Sequence, residues 1–81
     1  LRISGPDART FLQGLVSNDV TRATAEHAIY AALLTPQGKF LHDFFIVERD
    51  GALCLDGEAA RLADLQRRLS LYKLRSKVAL A

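Results

Sequence analysis

The chain has 81 residues, 49% of them hydrophobic and 25% charged, with a formal net charge of +2. That length makes one small domain or a piece of a larger one, able to bury roughly 60–65% of its unfolded surface. A single cysteine excludes an internal disulfide, one cysteine with two distant histidines excludes a tetrahedral zinc site, and no apolar run is long enough to read as a membrane span or signal peptide.

Leu1-Arg2-Ile3-Ser4 reads as a strand end, and Val78-Ala79-Leu80-Ala81 closes the chain on an apolar segment. The expectation is therefore an excised fragment with neighbours on both sides. Gly5-Pro6-Asp7 starts a helix, because proline fits the first helical position and an aspartate suits the positive end of the dipole. Ala8, Phe11, Leu12, Leu15 and Val16 recur at helical spacing and carry that helix over residues 6–16. Ser17-Asn18-Asp19 ends it, with Asn18 and Asp19 suited to local backbone bonds or, in the functional reading, to a ligand contact. A polar connector over residues 20–27 contains His27, read as a surface residue.

A strand over residues 28–35 leads into Thr35-Pro36-Gln37-Gly38, a type I turn with proline second and glycine fourth. The return strand runs over residues 39–48. One of its faces carries Phe40, His42, Phe44 and Ile46, the other Leu41, Asp43, Phe45 and Val47. Both faces are apolar, which predicts cover on both sides. Each also holds one ionisable group, His42 and Asp43. A buried polar group without a partner is costly, so these two must find internal hydrogen bonds or reach a ligand cavity. Asp50-Gly51 is a hairpin signal of the I′ type and returns the chain into a strand over residues 52–56. Cys54 in that strand has no adjacent base and reads as an inert thiol. Asp56 is placed to cap a helix over residues 57–71, whose apolar stripe is Leu62, Leu65, Leu69 and Tyr72 with the arginines facing out. Arg61, Arg67, Arg68, Lys73, Arg75 and Lys77 face only Asp64 in that stretch, a basic patch that reads first as a solvated helix face and tail. Val78 and Leu80 alternate with alanines in a last strand. The order β-α-β-β-β-α-β predicts an α+β fold: a mostly antiparallel sheet with two helices.

Four stretches carry a family resemblance. They are Ser-Gly-Pro-Asp-Ala at 4–8, Phe-Leu-Gln-Gly-Leu-Val-Ser-Asn-Asp-Val at 11–20, Tyr-Ala-Ala-Leu-Leu-Thr-Pro-Gln-Gly-Lys-Phe-Leu-His-Asp at 30–43, and Tyr-Lys-Leu-Arg-Ser-Lys-Val at 72–78. Together they resemble the N-terminal part of a YgfZ-type protein, a relative of the glycine-cleavage T-protein (aminomethyltransferase) family. The resemblance implies that residues 1–81 are the N-terminal portion of a T-protein-like folate-binding domain. It implies tetrahydrofolate as cofactor in the full-length protein, contacted by His42, Asp43 and Asn18. It implies an accessory role in assembly or repair of iron–sulfur client proteins, with tRNA modification as an indirect consequence, in the cytoplasm.

The family's transferases carry two aspartates in the strand after the glycine turn. Here His42 stands at the first and Asp43 at the second. A histidine supplies no permanent anion beside a developing cation, so aminomethyl transfer is left open and the accessory role is favoured. A further family hallmark, Lys-Gly-Cys-Tyr-x-Gly-Gln-Glu, belongs downstream of this stretch. A third reading, a small basic RNA-binding module, is disfavoured because Phe40, Phe44 and Phe45 read as core and not as a stacking platform.

Overall fold

The computed structural model describes residues 1–81. Its elements are β1 (Arg2–Ser4), α1 (Ala8–Gln13), a 3₁₀ turn (Val20–Arg22), β2 (Ile29–Leu34), β3 (Phe40–Arg49), β4 (Ala52–Asp56), a second 3₁₀ turn (Ala59–Arg61), α2 (Leu62–Leu71) and β5 (Ala79–Leu80). The five strands form one sheet in the order β2-β3-β4-β1-β5, with every pairing antiparallel. The predicted element order and fold class are the observed ones. No helix is long and apolar enough to cross a membrane.

Both hairpins form as their turn chemistry dictates. The Gly38 N–H donates to the Thr35 carbonyl at 2.9 Å, and Thr35 N–H to the Lys39 carbonyl at 2.8 Å. Beyond the turn Leu34 pairs with Phe40 and Leu33 with His42, so Leu41 is an extra residue in β3 that shifts the β2–β3 register between Leu33 and Leu34. At the second hairpin Asp50 has φ +52 and Gly51 φ +77. Two successive left-handed residues are what a type I′ turn requires, and this is the pair that tolerates them.

The core lies on one side of the sheet. Ile29, Ala31 and Leu33 of β2, Phe44 and Ile46 of β3, and Leu53 and Leu55 of β4 face Phe11 and Leu12 of α1 and Leu65 and Leu69 of α2. Arg9 ties the first helix down from its polar side. Its guanidinium donates to the Val20 carbonyl at 2.8 Å, to the Ala23 carbonyl at 3.1 Å, and to the Glu48 carboxylate on β3. The outer edge of β2 is blocked by the loop after α1. Ser17 N–H donates to the Ala32 carbonyl at 3.0 Å, and Ser17 Oγ accepts the Ala32 N–H at 2.9 Å. An unpaired strand edge invites aggregation, and this loop closes it.

Three expectations are corrected. β3 is an interior strand, but only one of its faces is covered: Phe44 and Ile46 are buried while Asp43 and Phe45, on the other face, are exposed, Phe45 by 52%; Phe40, beyond the register shift, is 56% exposed as well. Covering both faces takes a third layer, and both helices of this chain are used on the same side. The helices are also shorter than 6–16 and 57–71, because each begins or ends in a tighter turn: α1 stops at Gln13, and residues 59–61 form a 3₁₀ turn ahead of α2. Finally, Asp56 does not cap α2. It is the last residue of β4, and the N-cap position of the helix is Arg61, without a side-chain cap bond.

Candidate functional site

β3 alternates, so His42 and Asp43 leave the sheet on opposite sides. His42 goes to the helix layer. It is 3% exposed, the one buried polar residue of the molecule. Its Nε2 lies 2.7 Å from Asp64 Oδ2 in the first turn of α2. The same carboxylate accepts from Arg68 Nε at 2.8 Å and Arg67 Nη2 at 2.6 Å. Those bonds, with Arg68 the largest influence, then His42 and Arg67, hold the Asp64 carboxyl far below the usual carboxylate range. His42 thus locks α2 to the sheet through a shared anion. Arg67 and Arg68 are correspondingly not free solvating charges, and Arg61 Nη2 donates to the Leu41 carbonyl at 2.9 Å. The patch expected to be solvated is half consumed by the fold.

A carboxylate whose pKa is depressed on folding stabilises the fold above its ordinary pKa, and that stability is lost as pH falls through the folded value. Asp64→Asn is therefore expected to lower the thermal midpoint at neutral pH. The gap to the parent should close as pH falls below the ordinary aspartate range. Melting curves against pH check this; a gap that persists undiminished in acid would show that the anion is not what matters at this position.

Asp43 goes to the open side. Tyr30 Oη donates to Asp43 Oδ2 at 2.5 Å. That bond, more than burial or charge, raises the Tyr30 phenol above its usual pKa. Tyr30 on β2 is paired directly with Phe45 on β3, and the two rings meet tilted, with centroids 5.4 Å apart. Phe45 is in turn opposite Asp56 on β4. The open face therefore carries two exposed rings between two carboxylates. A depression of about 240 Å³ there is lined by Tyr30, Asp43, Phe45, Asp56 and Glu58 among others.

Asn18 reaches the same tyrosine from the strand edge. Its Nδ2 donates to the Tyr30 carbonyl at 2.9 Å, and its Oδ1 accepts the Asp19 N–H at 2.7 Å. Asp19 next to it caps the 3₁₀ turn through the Thr21 N–H at 3.0 Å and hydroxyl at 2.6 Å, and these bonds hold its carboxyl below the usual range. Of the three residues singled out from the sequence, Asn18 and Asp43 converge on Tyr30 and His42 does not. No group of three His, Cys, Asp or Glu side chains is placed to hold a metal.

Tyr30 and Asp64 are the residues that sequence reasoning missed. Tyr30 was findable. Alternation puts Ile29, Ala31 and Leu33 in the core, hence Tyr30 outside, and the hairpin register sets it beside Asp43. Asp64 carried a weaker signal, an acid three and four residues before Arg67 and Arg68.

Comparison with known proteins shows what the chain as a whole is similar to. No family model matches the chain. It is 33% identical over 84 residues to the "Iron-sulfur cluster assembly factor IBA57 homolog, mitochondrial" of Neurospora crassa, covering 95% of this chain and 19% of that protein. It is 39% identical over 93 residues to the protein of the same name from Mycosarcoma maydis, covering 99% and 23%. The counterpart in Aspergillus clavatus is 35% identical over 97 residues, covering 99% and 22%. The chain thus spans about a fifth of the length of the curated relatives it matches. Among solved structures, the glycine cleavage system aminomethyltransferase T from Bartonella henselae superposes with a TM-score of 0.83 at 18% identity, over 96% of this chain and 22% of that one. The expected cytoplasmic location is overturned. These relatives are named mitochondrial, against the cytoplasmic expectation. The cytoplasmic expectation rests on the family resemblance alone and on no residue of this chain.

Proposed function

We propose, on the premise that this chain is a homologue of the iron–sulfur cluster assembly factors with the fold of the aminomethyltransferase T-protein, that it is part of a folate-binding accessory protein for iron–sulfur cluster assembly. Residues 1–81 are then the N-terminal portion of the folate-binding domain. The partners are iron–sulfur client proteins, and altered tRNA modification is a downstream consequence of serving them.

The observation that carries the folate reading is the open face. Asp43 offers a carboxylate beside the exposed Tyr30 and Phe45 rings. A reduced pterin carries a planar aminopyrimidinone ring with adjacent N–H donors along one edge. A carboxylate accepts such a donor pair in the two-bond manner it uses for guanidinium, and the rings supply stacking surface. Tetrahydrofolate supplies, when bound, an amine able to carry a one-carbon unit. In this arrangement Asp43 orients the ring, Tyr30 fixes the Asp43 rotamer, and Asn18 holds the β2 backbone beneath Tyr30. His42 has a structural task.

Folate-dependent aminomethyl transfer is a second reading, favoured by the fold alone. Against it, the first of the two transferase aspartates is His42, turned to the helix layer and engaged by Asp64. An RNA-binding role fits poorly. The exposed rings sit beside Asp43 and Asp56, which repel phosphate, while Arg67 and Arg68 are taken by Asp64.

In the full-length protein, Phe45→Ala is expected to weaken tetrahydrofolate binding about tenfold, the loss of one stacked ring, with little change in melting. Titration by intrinsic fluorescence measures it, and unchanged affinity would remove the open face as the site. Cells without the protein should show reduced activity of iron–sulfur enzymes. Normal activity there would refute the assembly role independently of folate.

A further inference from the structure

The open face of the sheet is charged unevenly along its length. At the depression Asp43, Asp56 and Glu58 stand around Tyr30 and Phe45, with no cation among the residues that line it. Alternation carries the same face on past the depression. On β3 it continues through Val47 to Arg49. On β4 it continues through Cys54, which pairs with Val47 on one side and with Arg2 of β1 on the other. Val47 and Cys54 are half-buried, and Arg2 and Arg49 are exposed. Arg9, Arg61, Arg67 and Arg68 are engaged by the fold. Arg2 and Arg49 enter none of the four ion pairs of the molecule. The acids nearest this end are Glu48, which holds Arg9, and Asp50 in the turn beyond Arg49. Asp56 lies two residues along and one strand across from Arg2, about 8 Å by strand spacing.

We propose that this end of the face receives the carboxylate tail of the folate, with Arg2 taking the first glutamyl carboxylates and Arg49 those of a longer, polyglutamylated tail. The inference rests on the folate reading of the open face. Distance supports it. Arg2 is four residues along and two strands across from Asp43, about 16 Å, and Arg49 is six residues along the same strand, about 20 Å. An extended folate spans about 15 Å from its aminopyrimidinone ring to its first glutamyl carboxylates, by bond lengths. Each added glutamate carries the next carboxylate further out. The flat aminobenzoyl group between the two ends passes over Val47 and Cys54, which are uncharged. Charge sets the direction. The acidic end accepts the N–H donors of the ring and repels carboxylates, whereas a guanidinium takes a carboxylate through two bonds. A ligand laid in reverse would set its carboxylates among Asp43, Asp56 and Glu58.

The test measures binding of three probes to the full-length protein: tetrahydrofolate, its triglutamate, and 6-methyltetrahydropterin, which has the ring and no tail. The parent should bind the triglutamate most tightly and the tail-free pterin most weakly. The advantage of the triglutamate should shrink as salt rises. Arg2→Gln should weaken tetrahydrofolate about tenfold and leave 6-methyltetrahydropterin unchanged, with Arg2→Lys restoring most of the loss. Arg49→Gln should bring the triglutamate down to the affinity of tetrahydrofolate. Both arginines are exposed, so melting temperatures should stay at the parent value. The tail assignment is overturned if both glutamine variants keep parent affinities while Phe45→Ala weakens tetrahydrofolate, a result that leaves the folate site itself in place. It is also overturned if Arg2→Gln weakens the tail-free pterin as much as tetrahydrofolate, because the side chain then acts on the ring end or on the sheet. If the parent binds none of the three probes, or Phe45→Ala changes nothing, the folate reading of this face falls and the tail assignment with it.

Discussion

Phe44→Ala is expected to remove about 3–5 kcal/mol of folding free energy, while Phe45→Ala, one residue on, removes about 0.5–1.5 kcal/mol. The two side chains are chemically identical and adjacent. Phe44 is 2% exposed and packs in the layer between sheet and helices; Phe45 is 52% exposed and rests on one neighbouring ring. Truncating the first opens a cavity that the surrounding strands cannot close. Truncating the second exposes only part of Tyr30. A small domain holds about 5–15 kcal/mol in all, so the first variant spends much of that margin. Urea denaturation midpoints separate the cases. Equal losses in the two variants would show that the open face is as tightly covered as the core face.

Gly5→Ala is expected to be at least as damaging, by a different route. Gly5 has φ +107, and a Cβ built there would stand 2.3 Å from the Lys77 carbonyl oxygen. The obstacle is backbone, so no rotamer change relieves it. The same junction holds the chain end in place: Asp7 N–H donates to the Lys77 carbonyl at 3.3 Å, the Asp7 carboxylate accepts the Lys77 N–H, and β5 pairs with β1 just beyond. Backbone strain of about 1–3 kcal/mol adds to the displacement of that segment and the loss of its pairing. Gly51→Ala is the control, since Gly51 has φ +77 but open space around it; its cost is the backbone strain alone. Amide exchange at Arg2 and Ala81, which bond each other in the parent at 3.0 Å, should become fast in Gly5→Ala and stay slow in Gly51→Ala. Protection retained in Gly5→Ala would mean that the close approach of Gly5 to Lys77 is not needed.

Most of the fold was legible because local signals and global pattern agreed. Pro36-Gln37-Gly38 and Asp50-Gly51 fixed two turns, alternation fixed the strands between them, and Leu65 with Leu69 fixed the inner face of α2. Misreading arose where a residue type was compatible with two environments. Phe45 is apolar and reads as core, but the number of layers decides whether a second face is covered, and one strand carries no information on that. The candidate site divided along the same line. Asp43 and its open face follow from alternation. The partner of His42 does not, because Asp64 lies 22 residues away on a helix whose rotation about its axis is set by Leu65 and Leu69. The left-handed backbone of Leu74, with φ +41, had no sequence signal, since a leucine does not advertise a positive φ.

The proposed folate site divides labour along one strand, with Asp43 placed toward the ligand and His42 holding the helix. The most direct measurement pairs tetrahydrofolate affinity with the thermal midpoint for Asp43→Asn and His42→Gln in the full-length protein. Asp43→Asn should weaken folate binding by about tenfold or more, the loss of a charge-assisted bond, and leave the midpoint nearly unchanged because the side chain is exposed. His42→Gln should lower the midpoint and leave affinity per folded molecule intact. The reverse pattern, folate affinity lost with His42 and untouched by Asp43, would mean that the open face is not the folate site.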